Sequence, residues 1–241
     1  MIIMNTLKNR ILDFLVINIA GDRARWVKKT LLALPRGLRI LDVGAGETPY
    51  KEWCTGQAYL AQDFSQYDGA GDGTGLQTGT WDRTRIDIVS DITAIPEPDA
   101  SFDIIICTEV LEHIPNPVAA LAECARLLKS GGTLIITAPF TSMTHFAPYH
   151  FCTGFNRYFY EKHLDEYEIL ELSPCGSFFA VTLQQIILTS YFCRRYAGIV
   201  WAIISIPFVI PALLFLRIAS IFDIGSKESL CFAYFVRARK K

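Results

Sequence analysis

Leu38-Arg39-Ile40-Leu41-Asp42-Val43-Gly44-Ala45-Gly46-Glu47-Thr48-Pro49-Tyr50 is the stretch whose reading decides the fold. Ile40, Leu41 and Val43 form a short apolar strand. Gly44-Ala45-Gly46 then turns tightly, and residues 47–50 open a helical pattern that Pro49 holds to its first turn. Two glycines directly after a strand let a ligand reach bare backbone, because no Cβ stands in the way. The next apolar strand, Tyr59-Leu60-Ala61-Gln62, ends at Asp63. A carboxylate roughly 20 residues beyond the turn is near the spacing at which an acidic side chain meets a ribose in a nucleotide-binding βαβ unit. The folded core therefore begins with a site for a nucleoside-type cofactor.

Working outward, the pattern alternates strands and helices. Ile86-Asp87-Ile88-Val89 and Phe102-Asp103-Ile104-Ile105-Ile106-Cys107 read as buried strands with little alternation, as in a parallel sheet covered on both faces. Asn116 is placed to cap a helix with Pro117 at its first position. Val118, Leu121, Ala125 and Leu128 make that helix's apolar stripe, and Gly131-Gly132 is expected to end it. Thr133-Leu134-Ile135-Ile136-Thr137 is the next strand, followed by strands at residues 168–172 and 230–236 and a basic tail at residues 237–241. The rhythm is that of a doubly wound α/β sheet. Between Asp63 and Ile86 no helical pattern exists. Asp68-Gly69-Ala70-Gly71-Asp72-Gly73-Thr74-Gly75 is either a long flexible connection or, as loops of this length tend to be, a functional cover over a substrate pocket. Its alternating aspartates lack the spacing and terminal glutamate of a calcium loop.

Ahead of the first strand, Ile11, Phe14, Leu15, Ile19, Val27, Leu31 and Leu34 fall at helical spacing. Residues 1–37 are read as an N-terminal helical lid or surface-lying helix. A secretory signal fits worse, since Asp13 and Asn18 interrupt the apolar run and no small-residue cleavage site follows. At 241 residues the chain can bury one substantial core. A net charge of −1, with its only basic cluster in the last five residues, excludes tight nucleic-acid binding. Seven scattered cysteines without a Cys-x-x-Cys pair indicate reduced thiols in a cytoplasmic protein and no zinc or disulfide frame.

Leu41-Asp42-Val43-Gly44-Ala45-Gly46, Asp63, Ser90-Asp91-Ile92, Cys107-Thr108-Glu109-Val110-Leu111-Glu112-His113 and Leu128-Lys129-Ser130-Gly131-Gly132, in this order, resemble the class I S-adenosylmethionine-dependent methyltransferases, and among them the type 11 domain. A nicotinamide-binding Rossmann domain fits worse, because Pro49 stands where the third glycine of its fingerprint belongs. The resemblance implies a Rossmann-like, seven-stranded, mostly parallel sheet with an antiparallel last strand over residues 38–241, and S-adenosyl-L-methionine as cofactor. It further implies that Gly44, Ala45 and Gly46 flank the methionine part of the cofactor and that Asp42 holds its amino group, directly or through water. Asp63 would accept from the ribose hydroxyls, Asp91 would take the adenine amino group with Ile92 on the ring, and Thr108 and Glu109 would line the pocket beside the transferred methyl.

The chemistry implied is in-line displacement of methyl from sulfonium onto an acceptor atom, for which orientation supplies up to about 7–11 kcal/mol. A hydroxyl acceptor needs a base in hydrogen-bond reach. His145 and His150, with Tyr149 as an orienting hydroxyl, follow the strand expected to end at the active-site edge and are the candidate catalytic residues. Glu109, Glu112 and His113 would share a helix face at a spacing that can ligate a divalent ion, and some relatives bind one with a further histidine. The preferred reading is a polar helix start lining the pocket, without a metal.

Residues 197–216 carry no charge, and Arg194-Arg195 and Arg217 bound them. A single membrane pass would put the flanking strands of one sheet in different compartments. Residues 177–222 are therefore expected to form an apolar helical insertion, a re-entrant or interfacial hairpin broken near Pro207 and Pro211, with both basic flanks on the cytoplasmic face. An apolar dimer interface is the competing reading. The function expected is methyl transfer to a small-molecule or lipid-linked acceptor, a surface-glycan or isoprenoid intermediate, at the cytoplasmic face of the membrane. The alternative is an inactive membrane-associated scaffold that retains the fold.

Overall fold

β1 (Arg39–Val43) sits inside the sheet, with Ile40, Leu41, Asp42 and Val43 all buried. Its run of branched apolar residues suits a strand covered on both faces. β1 pairs in parallel with β2 (Ala58–Asp63) on one side and with β4 (Phe102–Thr108) on the other. β3 (Ile88–Val89) extends the sheet beyond β2, and β5 (Leu128–Pro139) lies beyond β4, both in parallel. β7 (Ala233–Lys240) runs antiparallel to β5, and β6 (Tyr167–Cys175) forms the far edge. The order is β3-β2-β1-β4-β5-β7-β6. The direction of winding reverses between β1 and β4, where ligands bind in open α/β sheets.

A computed structural model describes residues 19–241, which divide into two compact units. One comprises residues 22–173 with 233–241 and holds the sheet; the other is built on residues 174–232. In the first unit, α1 (Ile19–Leu32) places Val27 and Leu31 in a cluster with Ile40, Tyr50, Cys54, Ile104, Ile106 and Ile135. Fully burying each branched or aliphatic side chain contributes roughly 1.5–3 kcal/mol. Trp26 stacks on Phe235 at 5.1 Å, and its Nε1 donates to Glu171 at 2.9 Å. The expected helical positions Ile11, Phe14 and Leu15 lie outside the described residues. α2 (Pro117–Leu127) starts as its sequence directs: the Asn116 side chain accepts from the Ala119 amide at 3.1 Å, with Pro117 next. α3 (Arg157–His163) is capped in the same way by Asn156.

Four local expectations are corrected. No α-helix follows the glycine turn: Thr48 takes φ +55, and a single 3-10 turn over Lys51–Cys54 leads to β2. Gly131-Gly132 does not end α2, which stops at Leu127. The glycines lie inside β5, where the pairing shifts from Phe102↔Leu128 to Ile104↔Thr133 and Gly131 supplies φ +77. Residues 237–240 are not a tail. They continue β7 opposite residues 133–135, and Lys240 donates to the carbonyls of Ala125 and Leu128 at 2.6 and 2.9 Å, answering the open C-terminus of α2.

The fourth correction concerns the second unit. α4 (Phe178–Ala197) and α5 (Ile199–Ile221) form a hairpin whose turn is Gly198, at φ +97, and α5 runs unbroken through Pro207 and Pro211. Glycine reaches that positive φ without the Cβ penalty, so the reversal falls there. Each proline removes only one backbone hydrogen bond from a helix of 23 residues.

Candidate active site

The carboxyl ends of β1, β2 and β4, with the segment after β3, open on one cavity of about 630 Å³. That volume is within the usual range for small-molecule sites, about 300–1,000 Å³. Its wall includes Gly44, Ala45, Gly46, Asp63, Asp91, Ile92, Thr108 and Glu109. These are the cofactor residues named from the sequence, apart from Asp42.

The glycine turn is held from below and closed from above. The Gly46 amide donates to Asp63 Oδ2 at 3.1 Å, the Ser65 amide to Asp63 Oδ1 at 2.7 Å, and the Gly44 amide to Gln62 Oε1 at 3.3 Å. Burial raises the Asp63 carboxyl above its ordinary range. Gly44 and Gly46 take φ +62 and +52. A Cβ on Gly44 would come within 2.5 Å of Val110, and one on Gly46 within 2.6 Å of Trp81. The requirement for glycine at both positions is thus steric as well as conformational. Asp91 accepts from the amide and hydroxyl of Thr93, which lowers its pKa and keeps it ionised at the cavity wall.

Asp42 is placed differently. It is fully buried and absent from the cavity wall; Tyr59 donates to its Oδ2 at 2.6 Å, and its Oδ1 has no hydrogen-bond partner. Burial pushes its pKa up to about 7. From there it acts on the turn through β1 and on its charged neighbours, Asp63 among them.

The other wall combines α1 with β4. Arg23 reaches the cavity and pairs with Glu109, Nη1 to Oε2 2.7 Å, while Glu109 Oε1 accepts from Thr137 Oγ1 at 3.0 Å. Glu109 takes φ +54, a left-handed conformation uncommon for a residue with a side chain, and its amide donates to Thr137 O at 2.7 Å. Arg23 is a cation suited to a ligand carboxylate. Nothing local in the sequence marks it, because only the packing of α1 carries it to the cavity.

Two chain segments roof the site. Tyr67 stacks on Phe146 at 4.6 Å, and Trp81 meets both edge-on at 5.4 and 5.3 Å. Leu76 bridges to His145 in parallel, with Leu76 N donating to Thr144 O and Phe146 N to Leu76 O, each at 3.0 Å. The glycine-rich stretch is itself absent from the cavity wall; it braces residues 144–147, the segment that carries Phe146 to the wall. Gly71 and Gly75 lie so close to the carbonyls of Ala147 and Thr144 that neither has room for a Cβ.

Of the candidate catalytic residues, Tyr149 lines the cavity with Phe146 and Phe151, whereas His145 and His150 do not. Both sit behind His113, which does line it: His113 is 4.7 Å from His145 and 5.9 Å from His150, ring to ring. Ser142 Oγ lies 3.1 Å from His150 Nε2 and gives its proton to Thr153 O, so His150 Nε2 is the donor of that pair. His113 Nδ1 bonds the Tyr149 carbonyl, which can only accept. The other nitrogen, Nε2, is therefore left with a lone pair, buried and without a partner. Burial lowers the His113 pKa to about 4, which keeps the ring neutral at neutral pH.

Beneath these rings Glu112 is wholly buried, and neither of its oxygens has a hydrogen-bond partner. Burial raises its pKa well above the ordinary range. Its Oε1 lies 3.7 Å from His113 Nε2 and 3.9 Å from His145 Nε2, and one ligand atom from each of the three fits within a 4.8 Å span. Glu109 is not of this group. Residues 111–113 form a 3-10 turn in place of an α-helical face, and Glu109 is turned to Arg23. Two nitrogen ligands and one carboxylate suit a transition-metal or zinc-type cation, and the unpartnered Glu112 oxygens fit such a role.

A parallel sheet with its glycine turn, acidic strand ends and cavity at the switch point defines a class I nucleoside-cofactor domain. Residues 41–136 match a family model described as a methyltransferase domain. The ubiquinone biosynthesis O-methyltransferase of Xanthomonas oryzae pv. oryzae is 36% identical over 107 residues, 42% of this chain and 43% of that protein. Its counterpart in Xanthomonas campestris pv. campestris is 37% identical over 112 residues, 44% of each. The chain thus spans less than half the length of the curated relatives it matches. Among solved structures, the N-methyltransferase NodS of Bradyrhizobium japonicum in complex with S-adenosyl-L-homocysteine superposes with TM-score 0.52 at 13% identity, covering 92% of this chain and 87% of NodS. The [4+2]-cyclase SpnF gives TM-score 0.53 at 20% identity, covering 92% and 81%. These two likenesses concern the fold alone. Residues 41–136 thus match a methyltransferase domain, and the fold that holds them is that of solved methyltransferases.

Proposed function

We propose that this chain transfers the methyl group of S-adenosylmethionine to a hydroxyl of a small or lipid-linked acceptor, at the cytoplasmic face of a membrane. The observation that carries the reading is one continuous cavity with cofactor residues at one wall and the neutral ring of His113 at the other. The acceptor oxygen forms its bond to the methyl carbon as the carbon–sulfur bond breaks. The sulfonium becomes a neutral thioether, and the hydroxyl proton passes to a base, the role this reading gives to the neutral His113 ring at that wall. Tyr149, Phe146 and Phe151 give that end an aromatic lining suited to a flat or isoprenoid-bearing acceptor. The O-methyltransferase named among the relatives supports oxygen as the methylated atom and a quinone precursor as the acceptor class. A surface-glycan intermediate on an isoprenoid lipid remains within the same chemistry.

A second reading of the cluster is favoured by the bare Glu112 carboxylate. Glu112, His113 and His145 would hold a divalent cation, which would supply Lewis-acid polarisation of the acceptor oxygen. One experiment tests both: labelled S-adenosylmethionine is incubated with the full chain and a lipid extract, with and without excess chelator, and methylated products are identified by mass spectrometry. Label entering a lipid in both arms supports the metal-free base, and loss only with chelator supports the cation. No binding of S-adenosylhomocysteine by calorimetry would leave the inactive scaffold.

A further inference from the structure

We propose that α5 crosses a lipid bilayer and that α4 returns alongside it as its hairpin partner, which puts the Gly198 turn across the bilayer from the hairpin's own two ends at Phe178 and Ile221. The proposal deepens the membrane association of the proposed function and rests on that part of it alone.

α5 has 23 residues and a mean hydropathy of 2.6 over its most apolar window, of which 6% is buried. At about 1.5 Å per residue it extends roughly 34 Å, against about 30 Å of hydrocarbon in a bilayer. Among its less exposed positions, Ala202, Ser205, Val209, Ala212, Leu216 and Ala219 recur at intervals of three and four. They form the seam of a helix pair, tied by Ser190 Oγ to Ser205 Oγ at 2.7 Å. The remaining faces are apolar and exposed, with Trp201 at 57%, Phe208 at 74% and Phe215 at 69%. A surface-lying amphipathic helix keeps one polar face for water, and α5 has none.

The hydroxyls of the hairpin are arranged for a medium without water. Residues 178–193 and 196–216 carry no charge. Every serine and threonine hydroxyl of the two helices is bonded within them. Thr182 donates to Phe178 O, Thr189 to Gln185 O, Ser205 to Ala202 O and Ser220 to Arg217 O, while Ser190 pairs with Ser205. In hydrocarbon an unbonded hydroxyl is costly, and helix carbonyls or a neighbouring helix are the available acceptors. Charge marks both ends: Arg194 and Arg195 stand beside the turn with Tyr196 and Trp201, and Arg217 stands near the other end of α5. Tyrosine and tryptophan mark membrane–water boundaries and arginines near helix ends reach to them; a turn on the far side moves Arg194 and Arg195 off the cytoplasmic face expected from the sequence. The turn at Gly198, and not at the prolines, separates these two boundaries by the length of a helix. The chain leaves the sheet from β6 and returns to it as β7, so two crossings keep both strands in one compartment, which a single crossing would not.

The test uses the full chain expressed in cells. Membranes are washed with alkaline carbonate, and single cysteines at Tyr196→Cys or Lys227→Cys, each in a Cys193→Ser parent, are probed in sealed vesicles with a membrane-impermeant maleimide. The parent's own labelling is subtracted, and only variants that bind S-adenosylhomocysteine as the parent does are compared. The expected result is retention in the carbonate pellet, with the two positions labelled from opposite faces. Labelling of both from one face overturns the crossing while leaving membrane association in place. Recovery in the supernatant as a stable oligomer overturns both, identifying a second copy as the occupant of the apolar face. Methyl transfer is measured separately and is independent of either outcome.

Discussion

Arg23 and Glu109 meet as an ion pair at the cavity wall, Nη1 to Oε2 2.7 Å, joining α1 to the strained end of β4. Arg23 is the cation positioned there to exchange Glu109 for a ligand carboxylate. Charged hydrogen bonds contribute about 1.5–3 kcal/mol, so Arg23→Ala is expected to weaken S-adenosylhomocysteine binding roughly 10-fold or more. Arg23→Lys should recover part of the loss. Isothermal titration calorimetry of the two variants measures this, and an unchanged Kd in Arg23→Ala removes Arg23 from the cofactor site.

Gly46 faces the Trp81 indole with no room for a methyl group. Gly46→Ala is expected to destabilise the protein by about 1–2 kcal/mol through its positive φ, and to weaken cofactor binding by a larger factor as Trp81 is displaced. Chemical denaturation alongside calorimetry separates the two effects. Equal losses in both would show that the turn serves the fold and not the ligand.

Asp42 makes the stability of the cofactor-free protein depend on pH. Its pKa rises from 3.8 to about 7 on folding because burial disfavours the anion. Between those values the folded state keeps a proton that the unfolded chain has released. Its contribution is complete below about pH 4 and is lost as pH rises through 7, by about 4 kcal/mol at most. The Tm of Asp42→Asn, which can still accept from Tyr59, should gain on the parent between pH 4 and 7 and hold its lead above. A Tm difference that stays flat across pH 4–8 contradicts this.

His113→Ala should lower methyl incorporation into a lipid extract by about 10²-fold or more, the usual contribution of a positioned base, with S-adenosylhomocysteine affinity held within a few-fold. Glu112→Gln separates the two readings of the cluster. It abolishes turnover and bound metal together if a cation sits there, and has a mild effect if His113 acts alone. Elemental analysis of the purified protein reads the metal directly.

The glycine turn and the acidic strand end at the cavity are legible in the sequence because their signals are local. A strand, two glycines and the next strand's aspartate lie within 26 residues, from Leu38 to Asp63, and Asn116-Pro117 announces its helix without help from the rest of the chain. What was missed depends on distant packing. Arg23 reaches the cavity only because α1 buries Val27 and Leu31. Trp81 matters only because its ring meets Gly46, and His113 displaces His145 and His150 from the wall only once residues 140–151 fold behind it. Residues 237–240 looked like a solvated basic tail because charge hides strand character. Ala238 there is in fact buried against β5, as Val236 is just before it.

Gly71 and Gly75 have a consequence for the order of events in turnover. Their backbones rest directly on the Ala147 and Thr144 carbonyls, so the loop between Tyr67 and Trp81 and the loop that carries Phe146 and Tyr149 are seamed edge to edge. Neither can swing away without pulling the other. Spent cofactor and methylated product are then expected to leave by one opening, with a bound acceptor slowing the exchange of one nucleoside for the next.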